Sequence, residues 1–293
     1  MSNHATHNLP VVLTIAGFDP SAGAGIAADL KTISTHNCYG VAAVTALTVQ
    51  STQGVKGMHI PPAANLRAQL DALSEDVPFA AIKIGMLGNK ANAAVVAEFL
   101  DRVAAPHVVL DPVILSTGGG AELLDAAGVK FLGEELLKRC TLLTPNVPEA
   151  QQLTGIEVRD VATMEAAARK LAERGARAVV IKGGHLEKPT DLLFDGAEAL
   201  SFPGDLVKSL TSHGSGCTFA SSIACHLATG RPLRDAVMLA KAYVAKAIQH
   251  GFSIGKGPGP LDHYYRIRQE PTARGTHEVP QHGLHPAAEP ARH

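Results

Sequence analysis

Val11-Val-Leu-Thr-Ile-Ala16 runs into Gly17-Phe-Asp-Pro-Ser-Ala-Gly-Ala-Gly25, and Ile26-Ala-Ala-Asp-Leu-Lys-Thr32 follows. The first piece is continuously apolar and rich in β-branched residues, the pattern of a strand covered on both faces. The last piece has helical spacing, with the helix read as Ala24 to Asn37. A buried strand, a glycine loop and a helix make the opening unit of an α/β sheet. The same alternation recurs down the chain. Strands are expected at Val41 to Val49, Ala80 to Ile84, His107 to Leu110, Leu142 to Thr144, Ala178 to Ile181 and Asp191 to Phe194. Helices are expected at Pro62 to Ser74, Asn89 to Val103, Glu134 to Arg139, Met164 to Arg174, Ser215 to Ala228 and Leu233 to His250. Gly175 and Gly230 sit where left-handed C-caps belong. The pattern predicts a largely parallel central sheet with helices on both faces.

The chain has 293 residues, of which 46% are hydrophobic and 18% charged, the balance of a folded globular chain. Lys+Arg 26 against Asp+Glu 27 leaves a net charge of -1, and aromatic residues make up only 4%. Neither a basic surplus nor stacking platforms are present, so no nucleic-acid partner is expected. No apolar run reaches the roughly 20 residues of a membrane span. Met1 to Pro10 shows no secretory pattern and reads as a flexible tail. Cys38, Cys140, Cys217 and Cys225 are scattered without a CxxC pair, which favours a reducing cytoplasm over a disulfide frame or zinc site. Residues 269–293 are rich in Pro and His, poor in apolar side chains, and read as a disordered tail. One folded unit is expected over residues 11–268.

Ligands of open α/β sheets sit beyond the carboxyl ends of the strands. Five segments there could carry chemistry. The loop Gly17 to Ile26 resembles a phosphate loop but lacks the Lys-Ser/Thr of a Walker sequence and the spacing of a dinucleotide fingerprint. It reads either as a tight turn or as a loop whose backbone approaches a small ligand. His213-Gly-Ser-Gly-Cys-Thr218 opens a helix, so its small residues let successive amides and the helix dipole form an anion hole. Cys217 lies in the first turn, where a thiol pKa tends to fall, and reads as a base or nucleophile, or else as a small core residue. Asn146-Val-Pro-Glu149 fits a capping box, and equally a carboxylate and amide turned toward hydrated Mg²⁺. Asp111 ends an apolar strand, as a ligand-edge carboxylate or an Asx turn before Pro112. Lys182 ends another, facing a nucleotide phosphate or a surface salt bridge. An anion hole, a Mg²⁺ pair and a strand-end lysine together describe phosphoryl transfer without a Walker loop.

These residues carry a resemblance. Asn146-Val-Pro-Glu149 resembles the N-x-x-E magnesium motif of the ribokinase superfamily, and His213-Gly-Ser-Gly-Cys217 its anion hole. In sugar kinases that hole ends in Asp. The cysteine here is similar to the hydroxymethylpyrimidine/phosphomethylpyrimidine kinases of thiamine biosynthesis. Leu13 to Thr32, Thr45-Ala-Leu-Thr-Val-Gln50, Lys83-Ile-Gly-Met-Leu87, Thr144 to Glu149 and Lys182-Gly-Gly-His185 resemble that branch in order, and the likeness spans Val11 to Tyr265. It implies a ribokinase-like three-layer α/β/α sandwich, ATP and Mg²⁺ as cofactors, an aminopyrimidine substrate phosphorylated twice, and a homodimer. It also implies roles. Cys217 would be the base, and the amides of Gly214, Ser215 and Gly216 would hold the transferring phosphoryl. Asn146 and Glu149, with Asp111, would order Mg²⁺, and Lys182 would contact the nucleotide phosphates. Gln50 would read the aminopyrimidine edge, while Asp29, Gly17, Ala24 and Met86 would line the pyrimidine pocket. Phe18, Ser51 and Ser215 depart from the branch's usual residues, and Phe18 bears on pocket breadth. Gly118-Gly-Gly120 lies where the family carries a flap.

A pyridoxal or pyridoxine kinase of the same superfamily is the nearest rival, and Gln50 argues against it because vitamin B6 lacks an aminopyrimidine edge. A cysteine hydrolase, with Cys217 as nucleophile and His213 or His185 as base, leaves Asn146, Glu149 and Lys182 without a role. A nucleotide sensor without turnover is the third alternative.

Overall fold

The computed structural model describes residues 9–116, 120–184, 189–204 and 211–268. His185, Thr117 to Gly119 of the flap segment, and nearly all of both tails lie outside those residues. Among the described residues, nine strands form one sheet: β1 (Val11–Phe18), β2 (Tyr39–Ser51), β3 (Gly54–His59), β4 (Ala81–Ile84), β5 (Val108–Leu110), β6 (Leu142–Leu143), β7 (Val179–Ile181), β8 (Thr190–Phe194) and β9 (Ala199–Pro203). Their order is β3-β2-β1-β4-β5-β6-β7-β8-β9. The six strands from β2 to β7 in that order pair in parallel, whereas β3, β8 and β9 pair antiparallel at the two margins.

Parallel strands must be buried on both sides, and their residues alternate between two cores. Leu13, Ile15, Ile82, Ile84, Leu110, Leu143, Val179 and Ile181 face one core. It includes residues of α2 (Ala63–Asp76), α3 (Lys90–Arg102), α5 (Val147–Thr154) and α6 (Val161–Glu173), and α4 (Ala126–Phe131) packs against it. Val12, Ala81, Val109, Leu142 and Val180 face the other, with Ile33 of α1 (Gly25–Thr35), Phe219 and Ile223 of α7 (Ser215–Ala228), and Val237 of α8 (Leu233–Gln249). The result is the expected three-layer α/β/α arrangement.

The segment expected as a helix at Glu134 to Arg139 continues α4 as a π turn and then a 3₁₀ turn. Gly175 and Gly230 do take positive φ, +111° and +81°. Two strands escaped the sequence reading. β3 carries two glycines and a lysine and is only half-covered. β9 ends in Pro203 and lies on the opposite edge, where a missing amide costs no ladder bond. The chain leaves β1 toward β2 and later returns on the other side of β1 to form β4. That reversal opens a crevice beyond the carboxyl ends of β1 and β4.

Candidate active site

Two helices point their amino termini into this crevice. α1 opens at Gly25, with φ +55°, where an added Cβ would overlap the Gly17 carbonyl. α7 opens behind Gly214, with φ +84°, where an added Cβ would overlap the Gly23 carbonyl. Only glycine lets these two loops lie backbone against backbone. The Ser215 amide donates to the Ser212 carbonyl at 3.2 Å and that of Thr218 to Gly214 at 2.9 Å. Among the described residues, the amides of Gly214, Gly216 and Cys217 have no acceptor in the chain, the open donors that an anion cradle needs. Ser215, expected to share in it by its amide, does not.

The cavity in front of this cradle, about 230 Å³, is lined by Gly17, Ala24, Gln50, Met86, Asp111, Asn146, Glu149, Lys182, Gly214, Gly216 and Cys217. Eleven of the thirteen residues singled out from sequence therefore line one cavity. Gly17 and Met86 stand at the β1 and β4 tips and touch closely: a Cβ on Gly17 would come within 2.8 Å of Met86 Sδ.

Asp29 is a correction. Its carboxylate does not line the cavity but is wholly buried beneath it, on the inward face of α1. It accepts from Lys83 Nζ at 2.8 and 3.0 Å, from Thr14 Oγ1 at 2.6 Å and from Ser221 Oγ at 2.8 Å. Lys83 itself is wholly buried, and the neighbouring carboxylates hold its ammonium charged against the pull of burial. The signal for this pair was a lysine inside an apolar strand, which requires an anion nearby. Phe18 is half exposed and does not line the cavity, so it does not narrow it.

Lys182 Nζ donates to Asp111 Oδ1 at 2.7 Å. The pair is a salt bridge, yet not a surface one: the side chains are 17% and 3% exposed. Thr144 Oγ1 donates to the same Asp111 oxygen at 3.2 Å, so the carboxylate is held by its neighbours rather than in an Asx turn. Burial works against the Lys182 charge, but Asp111 and Glu149 outweigh it and raise its pKa. A Cβ on Gly216 would stand 3.2 Å from Lys182 Nζ, so the bare cradle and the ammonium face one another. Asn146 and Glu149 form the capping box of α5: the Glu149 amide donates to Asn146 Oδ1 at 2.9 Å and the Asn146 amide to Glu149 Oε2 at 2.8 Å. Burial pushes the Glu149 carboxyl up to about 7, with Lys182 opposing and Asp111 adding to the rise.

The Cys217 thiol reverses the sequence expectation. Burial pushes its pKa up to about 11, and the facing Asp29 and Asp111 charges add to this. The Lys83 ammonium and the Gly25 amide only partly offset it. Position in the first turn of α7 is real, but desolvation wins over the helix dipole.

Residues 19–262 match the model of the phosphomethylpyrimidine kinase family. The chain belongs to that family. It is 45% identical over 254 residues to the thiamine biosynthesis bifunctional protein of Geobacter sulfurreducens, covering 86% of this chain and 52% of the relative, so the kinase spans about half of that protein's length. It is 42% identical over 264 residues to the hydroxymethylpyrimidine/phosphomethylpyrimidine kinase of Haemophilus influenzae, covering 88% of this chain and 97% of the relative. Among solved structures, the pyridoxal kinase of Staphylococcus aureus in complex with AMP-PCP and pyridoxal superposes with a TM-score of 0.80 at 35% identity, over 88% of this chain and 96% of that one. The kinase thus has the ribokinase-like fold. Among its described residues no helix is long and apolar enough to cross a membrane.

Proposed function

We propose that this kinase transfers the γ-phosphoryl group of ATP first to the hydroxymethyl group of 4-amino-5-hydroxymethyl-2-methylpyrimidine and then to the resulting monophosphate. The observation that carries this reading is the meeting of Gln50, the Gly216 and Cys217 amides, Cys217 Sγ and the Lys182–Asp111–Glu149 group in one cavity. Gln50 presents a donor and an acceptor together, as a ring nitrogen beside an exocyclic amine requires. The free amides and Lys182 hold the phosphates, and the staphylococcal relative, solved with AMP-PCP, supports a nucleotide ligand for a fold of this kind.

The donor set fits magnesium of the kind that keeps most of its water. Among the described residues no group of three or more His, Cys, Asp or Glu could seat a metal by itself. Two buried carboxylates, Asp111 and Glu149, nevertheless repel one another at the cavity wall. Mg²⁺ typically needs only one or two such ligands. Glu149 and Asp111 would hold the ion, Asn146 fixes the Glu149 carboxyl from its own cap, and the ion would neutralise phosphate charge. Cys217, as thiolate, takes the hydroxymethyl proton while the alcohol oxygen forms its bond to phosphorus and ADP leaves. Catalysis is otherwise positioning and charge neutralisation.

The kinase unit is residues 11–268, working as a homodimer in the cytoplasm. Exposed Leu47 and Val49 beside the β3 edge suit a pairing surface, and the four cysteines stand as free thiols. Mass spectrometry of the products formed from ATP, Mg²⁺ and hydroxymethylpyrimidine tests the reading. The diphosphate is expected. Preferential phosphorylation of pyridoxal, the reading favoured by the staphylococcal likeness, would overturn it. Gln50→Ala should raise the KM for the pyrimidine more than that for ATP.

A further inference from the structure

Asp19, His213 and Thr48 line the same cavity, yet the phosphoryl chemistry assigns them no part. We propose that Asp19, His213 and Thr48 form a relay that fixes which way round the Gln50 carboxamide faces, so that the pocket selects an amino over an oxo substituent on the pyrimidine. The proposal rests on the reading of this cavity as an aminopyrimidine site.

Asp19 is 3% exposed. Its Oδ1 accepts from the Ser21 amide at 2.8 Å and from Ser21 Oγ at 2.7 Å. Its Oδ2 accepts from the Ala24 amide at 3.0 Å and lies 2.9 Å from His213 Nε2. A carboxylate has only lone pairs to offer. His213 Nε2 therefore carries the hydrogen and donates, whatever the state of Nδ1.

The same ring nitrogen is 3.3 Å from the Gln50 carboxamide atom placed as Nε2. A ring N–H has no lone pair left for the Gln50 amide hydrogens, so the atom that faces it must be the carboxamide oxygen. Oxygen and nitrogen of a carboxamide are isosteric, and the surrounding network sets their order. The atom placed as Oε1 lies 3.1 Å from Thr48 Oγ1, and that hydroxyl donates to the Phe18 carbonyl at 3.0 Å, so the hydrogen-bond partners call for the two carboxamide atoms to be exchanged. With nitrogen on the Thr48 side, Gln50 donates to Thr48 and Thr48 donates to Phe18. On the other side His213 shares its hydrogen between Asp19 and Gln50. Each polar atom then has a partner of the opposite kind. Either order makes one hydrogen serve two acceptors, but the reverse order also sets two donors against each other at His213.

The ring has little freedom to escape this arrangement. The bare Gly23 backbone lies against it, and a Cβ there would overlap His213 Cδ2. His213 also immediately precedes Gly214, so the relay ties the α1 loop to the phosphate cradle.

The consequence is chemical. The outer edge of Gln50 keeps one oxygen lone pair and one N–H, in a fixed order. A 4-aminopyrimidine presents an amine donor to that oxygen and a ring-nitrogen acceptor to that N–H. Its 4-oxo counterpart, as the N3–H tautomer, presents the opposite order and meets donor with donor.

Calorimetric titration of the 4-amino compound and of its 4-oxo counterpart, without nucleotide, tests this on the wild type and on His213→Leu, Thr48→Val and His213→Gln. The wild type should prefer the amino compound by tenfold or more. His213→Leu and Thr48→Val should each weaken the amino compound about tenfold, the loss of one hydrogen bond, and shrink the preference. His213→Gln, whose Nε2 can donate to Asp19 from a similar position, should restore most of it. Thr48 is only partly buried, so Thr48→Val decides the matter if His213→Leu unfolds. An unchanged preference in the folded variants, or no recovery in His213→Gln, overturns the relay. If the wild type instead fails to phosphorylate the amino compound with ATP, the reading of the pocket falls and the relay with it. If it does phosphorylate it while the variants keep the preference, the relay alone falls.

Discussion

Cys217 holds its proton at neutral pH, and raising the pH is therefore a direct perturbation of the proposed base. With a thiol pushed to about 11, only about one molecule in 10⁴ carries the thiolate at pH 7. At pH 9 the fraction is about one in 100. If the thiolate removes the hydroxymethyl proton, kcat/KM for the pyrimidine should climb about tenfold per pH unit across this range. That parameter reports ionisations of the free enzyme, so the slope reads the thiol itself. The assay is coupled ADP release at saturating ATP and low pyrimidine, from pH 7 to 9. Alkylation of Cys217 by iodoacetamide, followed by mass spectrometry, gives a second reading without turnover and should rise with the same slope. Cys38, Cys140 and Cys225 are buried and supply an internal reference. Cys217→Ala should fold, bind the pyrimidine and lose both slopes. A flat kcat/KM profile alongside a steep alkylation profile would refute the base assignment, because the thiolate would then rise a hundredfold without effect on the chemistry.

Lys83→Met should strand the Asp29 charge in the core and cost about 3–5 kcal/mol in urea denaturation, while Lys83→Met combined with Asp29→Leu should recover much of it; equal stabilities would show that the pair is unimportant. Acid should destabilise the fold through two buried histidines, with the raised Glu149 carboxyl opposing them below pH 7. Burial holds the His36 and His263 imidazoles down at about 4, so they stay neutral in the folded chain while the unfolded chain takes up protons near 6.5. Their contribution is complete above pH 6.5 and declines by about 1.4 kcal/mol per histidine per pH unit toward pH 4, which denaturation series at pH 7.5 and 5 will detect. Gly214→Ala must place a Cβ against the Gly23 carbonyl at φ +84°, and should lose about 1–3 kcal/mol of stability and most ATP binding; a variant with normal melting and normal ATP affinity would contradict the tight loop contact.

Much of this architecture is written in local pattern, and what is missing has a common cause. β1, β4, β5 and β7 are legible because strands buried on both faces need unbroken apolar runs, and the residues that follow them must arrive at the ligand edge. Asp111, Lys182 and Cys217 are found that way, from position along the chain alone. β3 and β9 are not, because half-covered edge strands tolerate Gly, Lys and Pro and so leave no run to read. Asp29 shows the next limit. Helical spacing places it on the inward face of α1, but not whether that face meets the cavity or the core, and its partner Lys83 lies 54 residues away. The thiol shows the same limit in energy: the first turn of a helix is local and lowers a pKa, whereas the burial that overrides it comes from elements remote in sequence. His213 goes one step further. Its tautomer is dictated by Asp19, 194 residues earlier, and that tautomer in turn dictates the orientation of Gln50. Residue type and spacing thus locate the groups of this site, but which atom carries each proton is a property of long-range contacts, and substrate choice and acid–base chemistry both depend on it.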